Sequence, residues 1–140
     1  MIDRQLIEKK LRRIEEFLRE LELAEVSSLE QFRKGVVTRR FVERNIELAI
    51  EQMIDICRHL VSGLDLNEPE SYTDCLDAIS KAGVLSGKHI DIFKSMVRFR
   101  NMLIHIYDGI DDSITFGIYK EHLNDFNLFV REIRDYLKRT

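Results

Sequence analysis

The chain has 140 residues, of which 44% are hydrophobic and 34% charged, and this balance excludes a disordered protein. A formal net charge of -3 excludes a uniformly basic nucleic-acid binder, and no apolar run approaches the ~20 residues of a membrane span. Six glycines and one proline argue for long helices with few turns, in one domain over residues 1–140.

Met1 leads directly into charged residues with no signal pattern, so a cytoplasmic protein is expected. Ile7, Leu11, Ile14, Leu18 and Leu21 recur at intervals of three and four, which predicts an amphipathic helix over about 3–25. Val26-Ser27-Ser28 reads as a break, and Leu29 to Lys34 as a short helical turn ended by Gly35. The second long helix is predicted over about 38–62. Its apolar set runs through Phe41, Ile46, Ala49, Ile50, Met53, Ile54, Cys57, Leu60 and Val61, and Gly63 stops it. Residues 64–70, with Pro69, form the one convincing linker.

Ser71 opens a shorter helix, with Asp74 in the place of a capping-box acid. Tyr72, Cys75, Leu76, Ile79 and Ala82 supply its apolar side, and Gly83 closes it. Ser86-Gly87 introduces a fourth helix carrying Ile90, Phe93, Met96, Val97, Met102, Leu103 and Ile106, which Asp108-Gly109 ends. A last helix is predicted over about 115–138. No stretch alternates as a strand does. The fold class is therefore all-α: an antiparallel up-and-down bundle of four main helices plus a short extra helix.

Cys57 and Cys75 stand alone among apolar helical positions and read as buried thiols. Two runs are locally basic: Arg33, Lys34, Arg39, Arg40 and Arg44, and then Lys94, Arg98 and Arg100. Each is either a solvated face or a landing strip for phosphates. Glu51, Asp55 and His59 share one face of the second long helix. They suggest either a metal or a polar seam at the rim of an active surface, and the paired Glu-x-x-His motifs of di-iron bundles are missing. No metal site and no cofactor is expected.

The densest chemistry lies in RFRNMLIHIYDGID, residues 98–111. Asn101 and His105 are one turn apart, and Arg98 lies one turn below Asn101. Arg100 and His105 fall roughly 140° apart on an ideal helix. To act on one small substrate they need either a wrapping arginine side chain or a second copy of the helix. A histidine can take the proton of a ribose 2′-OH or give one to the leaving oxygen. An arginine can hold the phosphate and offset its growing charge, and an asparagine can orient base or phosphate. The same residues also occur together by chance on amphipathic helices.

The run Arg100-Asn-Met-Leu-Ile-His105-Ile-Tyr107 resembles the Arg-x4-His-x-Tyr motif of the HEPN superfamily, in its HepT toxin branch. The flanking Phe99 and Asp108-Gly109-Ile110-Asp111 are also similar to that branch, as are Glu43 to His59, Ser71-Tyr72 and Gly83-Val84. The resemblance implies a four-helix core, a homodimer and a metal-independent endoribonuclease with Arg100 and His105 as its catalytic pair. Asn101 and Arg98 would support the substrate. The implied partner is a minimal nucleotidyltransferase antitoxin of the Mnt type, with Tyr107 as the residue it adenylylates. Two other readings stand beside this one: a non-catalytic nucleotide-binding or regulatory partner subunit of a nucleotidyltransferase, and a purely structural dimer.

Overall fold

The computed structural model describes residues 1–105 and 111–140, which form seven α-helices and, among the described residues, no strand. The all-helical expectation holds. No described helix is long and apolar enough to cross a membrane.

Helix α1 (Arg4–Glu22) starts where the Asp3 carboxylate accepts the Leu6 N–H at 3.1 Å, satisfying one of the free donors of a first turn. It ends short of the predicted Glu25: Leu23 is exposed and Glu25 turns left-handed at φ 48°. Helix α2 (Leu29–Lys34) is capped by Ser28 in the same way and buries Phe32.

Helix α3 (Val36–Gly63) is the central rod, packed against α1, α2, α4 (Tyr72–Lys81) and α5 (Ile90–His105). Its buried seam is Val42, Ile46, Ala49, Met53, Ile56 and Leu60, spaced by alternating fours and threes. Phe41 is one residue, about 100°, off that seam, so it is left exposed and Val42 takes the inward place expected of it. Asn45 lies near the seam and is buried because its amide donates to Glu20 Oε2 at 3.0 Å.

Helix α3 ends at Gly63 as expected, but the left-handed turn after it is made by Asp65 at φ 54° and not by the glycine. Gly63 is small for another reason: a Cβ there would stand 3.0 Å from the Met1 carbonyl oxygen, and the chain's amino terminus donates to the Gly63 carbonyl at 2.9 Å. Gly83 does close α4 as predicted. It takes φ 86°, and the following Val84 N–H bonds back to Ile79 O at 2.9 Å. Ala82, predicted on the apolar side, is exposed.

The predicted last helix is divided into α6 (Asp112–Glu121) and α7 (Asn124–Arg139). Two neighbours require two axes. Phe116 of α6 packs on Phe32 of α2 with ring centres 5.6 Å apart, whereas Phe129 of α7 meets Phe93 of α5 edge-on at 5.4 Å. The chain breaks at His122-Leu123 to serve both. One continuous apolar core joins these layers.

Candidate functional site

The core uses the apolar stripe of α3 and leaves a polar stripe beside it: Asp55, Arg58, His59 and Ser62, at the i, i+3, i+4, i+7 positions of one helix face. This stripe forms one wall of a groove of about 1270 Å³. The linker residues Leu66, Glu68, Pro69 and Glu70 form the rim, and Tyr72 and Cys75 of α4 line it further in. The remaining wall is α5, through Arg100, Asn101, Ile104 and His105.

One chain thus lines a single groove with both Arg100 and His105, despite their separation of roughly 140° on an ideal helix. The opening takes a wide arc of α5, and it exceeds the several hundred cubic ångströms typical of a small-ligand pocket. Asn101 joins them. Arg98 does not: it is exposed and lies outside the groove lining. Tyr107 lies outside the described residues.

Arg100 is mostly buried, its side chain 17% exposed, yet poorly satisfied. One terminal nitrogen donates to Glu51 Oε1 and the other to Asn101 Oδ1, both at 3.3 Å. Its Nε is buried with no partner among the described residues. Its guanidinium carbon stands 5.7 Å from the centre of the Tyr72 ring. A buried donor left open costs stability unless something binds there. His105, by contrast, is exposed at the groove edge.

The helical face shared by Glu51, Asp55 and His59 does not gather a ligand set. Glu51 turns to Arg100 and Asp55 pairs with Lys10 at 3.4 Å, while His59 faces the groove. Among the described residues no three His, Cys, Asp or Glu side chains converge as metal ligands would. The Glu51–Arg100 bond was not legible in the sequence, and neither was the entry of Tyr72 into the groove. The polar spacing on α3 was the available signal for Arg58.

The first basic run is largely neutralised. Arg33 meets Asp111 at 3.7 Å, Lys34 meets Glu30 at 2.7 Å, Arg39 meets Glu43 at 3.9 Å, and Arg44 pairs with Glu47. Burial pushes the Glu43 carboxyl above the usual glutamate range, and Arg39 opposes it. In the second run Lys94 is held by both oxygens of Asp77, at 3.1 and 2.9 Å. Among the described residues the exposed Arg40 and Arg98 have no ion pair, so what stays free is single arginines and not a continuous strip. Both cysteines are free and buried as expected, and burial pushes the Cys57 thiol well up.

Three comparisons place this architecture. The "tRNA nuclease HepT" of Aphanizomenon flos-aquae is 27% identical over 132 residues, covering 94% of this chain and 90% of that protein. The "mRNA nuclease HepT" of Shewanella oneidensis is 27% identical over 104 residues, covering 74% and 78%. A solved structure of a tri-AMPylated Shewanella oneidensis HEPN toxin in complex with an MNT antitoxin shares the fold, with a TM-score of 0.84 at 24% identity over 96% of this chain and 99% of that one. The Ribonuclease HepT-like family matches residues 7–133. With most of its length matched, and with a groove bordered by the arginine and histidine that first suggested the resemblance, the chain belongs to the Ribonuclease HepT-like family, a family of nucleases.

Proposed function

We propose that this chain is a metal-independent endoribonuclease toxin, a single HEPN-like domain over residues 1–140 that cuts RNA with Arg100 and His105. The observation that carries the reading is the meeting of these two side chains on one wide groove, with the arginine only partly satisfied. In this reading His105 takes the proton of a ribose 2′-OH, and O2′ attacks the adjacent phosphorus. The bond from phosphorus to O5′ breaks, and the leaving oxygen takes a proton from water or from a second histidine. The products are a 2′,3′-cyclic phosphate and a 5′-hydroxyl. Arg100 stabilises the non-bridging oxygens as charge builds on them, and the Asn101 amide orients the phosphate.

The active form is a homodimer with the two α5 helices close to a two-fold axis, an isologous arrangement. The exposed apolar Met102 and the exposed Arg98 of α5 support this, because a second copy would cover the methionine and bring the arginine towards RNA. The partner is a Mnt-type nucleotidyltransferase antitoxin, by analogy with the Shewanella toxin in its MNT complex. Tyr107 is the acceptor in that pairing. Its phenol oxygen attacks the α-phosphorus of ATP, pyrophosphate leaves, the phenolic proton passes to solvent, and the resulting phosphodiester competes for the arginines that hold RNA.

RNA incubated with the pure protein in excess EDTA is expected to be cut, leaving cyclic phosphate ends. An absolute need for added metal overturns the mechanism. Binding of nucleotide without cleavage favours the alternative, a non-catalytic nucleotide-binding subunit of a nucleotidyltransferase. Mass spectrometry of the pair with ATP is expected to add roughly 329 Da per AMP at Tyr107. Neutralisation with Tyr107 unmodified refutes the switch.

A further inference from the structure

The catalytic reading uses one wall of the groove and leaves the other unexplained. On the α3 and α4 sides three features point the same way. Tyr72 is the first residue of α4 and stays 39% exposed, although the sequence places it on the apolar side of its helix. Only part of its ring is covered, by the Arg100 guanidinium. On α3, lining the same groove, stand Arg58 and His59, both exposed. Arg58 has no carboxylate partner among the described residues, whereas the groove's other arginine, Arg100, is held by Glu51.

An open aromatic ring and an unpaired cation lining one groove are the combination that single-stranded RNA recognises: bases stack on the ring and the backbone follows the charge. The charges also fix which end binds what. Glu68 and Glu70 on the rim next to Tyr72 repel a phosphate there but do not repel a neutral base. The α3 side carries Arg58 and His59, and its one carboxylate, Asp55, is paired with Lys10 at 3.4 Å, so the phosphate is drawn there. We propose that Tyr72 and Arg58 form a nucleotide subsite next to the cleavage point, in which one unpaired RNA base stacks on Tyr72 and its phosphate pairs with Arg58, a subsite that rests on the ribonuclease reading above. It makes the groove selective for single-stranded over duplex RNA, because a base held in a helix has no free face to offer.

The chain has no tryptophan, so Tyr72→Trp supplies one reporter at the subsite. The position is exposed at a helix start and accepts the larger ring, which circular dichroism checks. The probe is a short 2′-O-methyl RNA, which lacks the attacking hydroxyl. Saturable quenching of the Trp fluorescence is expected, with a midpoint that rises in the added presence of Arg58→Ala and a salt slope reduced by about one. With cleavable RNA, Tyr72→Ala is expected to raise KM roughly five- to hundredfold with little change in kcat, and Tyr72→Phe to restore it. Unchanged KM in Tyr72→Ala with no quenching in Tyr72→Trp, while RNA is still cut, overturns the subsite and spares the nuclease reading. Quenching without any RNA cleavage in EDTA does the reverse. Quenching by AMP but not by the oligonucleotide also overturns the proposal, because the ring would then serve a mononucleotide.

Discussion

Two partly buried arginines divide this molecule. Arg134 of α7 lies between Glu8 and Glu15 of α1. Its Nε donates to Glu8 at 3.1 and 3.3 Å, and its terminal nitrogens reach Glu8 at 2.7 Å and Glu15 at 2.8 and 3.0 Å. Arg100 of α5 is more deeply buried, its side chain 17% exposed against 30% for Arg134, yet it has two long bonds and a buried Nε with no partner among the described residues. The same side chain therefore does two jobs. A planar fork filled by two carboxylates ties α1 to α7. A fork left partly unpaired beside the groove is the one proposed above to meet the RNA phosphate. The proposed site lies where a costly group is under-satisfied, not where charge is densest.

The largest test of that contrast is catalytic. Arg100→Ala or His105→Ala is expected to lower RNA cleavage by roughly 10²–10⁴ with the fold intact, as judged by circular dichroism. Arg134→Ala should cut RNA normally. Equal losses in Arg100→Ala and Arg134→Ala would remove the distinction.

The next effect is on stability and reverses the ranking. Arg134→Ala leaves two carboxylates facing each other without their cation. It is expected to cost about 1 kcal/mol, a modest figure because the cluster is partly exposed and screened, and to lower Tm by a few degrees. Arg100→Ala, which removes an unsatisfied donor along with its weak bonds, should cost less. Thermal melts of the two variants compare them directly.

A smaller effect appears in acid. Hydrogen bonds from Arg134 hold the Glu15 carboxyl below the usual glutamate range, against the opposing effect of its burial. A depressed carboxylate pKa adds stability that is present above the unfolded-state value and is lost as pH falls through the folded-state value. The wild-type chain should therefore lose this increment below the ordinary glutamate titration range. In Arg134→Ala that part of the acid sensitivity should be gone, a difference visible in melts along a pH series.

The smallest expected effect sharpens the comparison from the other side. Lys94 belongs to the same basic run as Arg98 and Arg100, but Asp77 already holds it and it does not line the groove. Lys94→Ala should leave the salt dependence of RNA binding unchanged and alter stability by less than about 0.5 kcal/mol. A shallower salt slope would mean that this lysine reaches RNA after all.

Much of the architecture was legible in the residues. The spacing of Ile7, Leu11, Ile14 and Leu21, the cap at Ser71 and the break at Gly83 each acted through a local cause, so each survived folding. What local cause could not reach was choice of neighbour. The period alone does not say whether Phe41 or Val42 faces α1, nor that Phe116 and Phe129 serve different partners and so divide one predicted helix into two. His89 shows the same limit: no partner is near in sequence, yet Glu132 lies 2.8 Å away across the fold.

By itself, then, the sequence determined the helical class, most helix boundaries and the presence of Arg100, Asn101 and His105 on one stretch, because hydrophobic period, capping and turn chemistry act over a few residues. Only the tertiary structure decided which charges remain free. The partners of Arg134 lie 119 and 126 residues away and those of Arg100 lie one and 49 residues away, and burial decides how much an unmade bond at each costs.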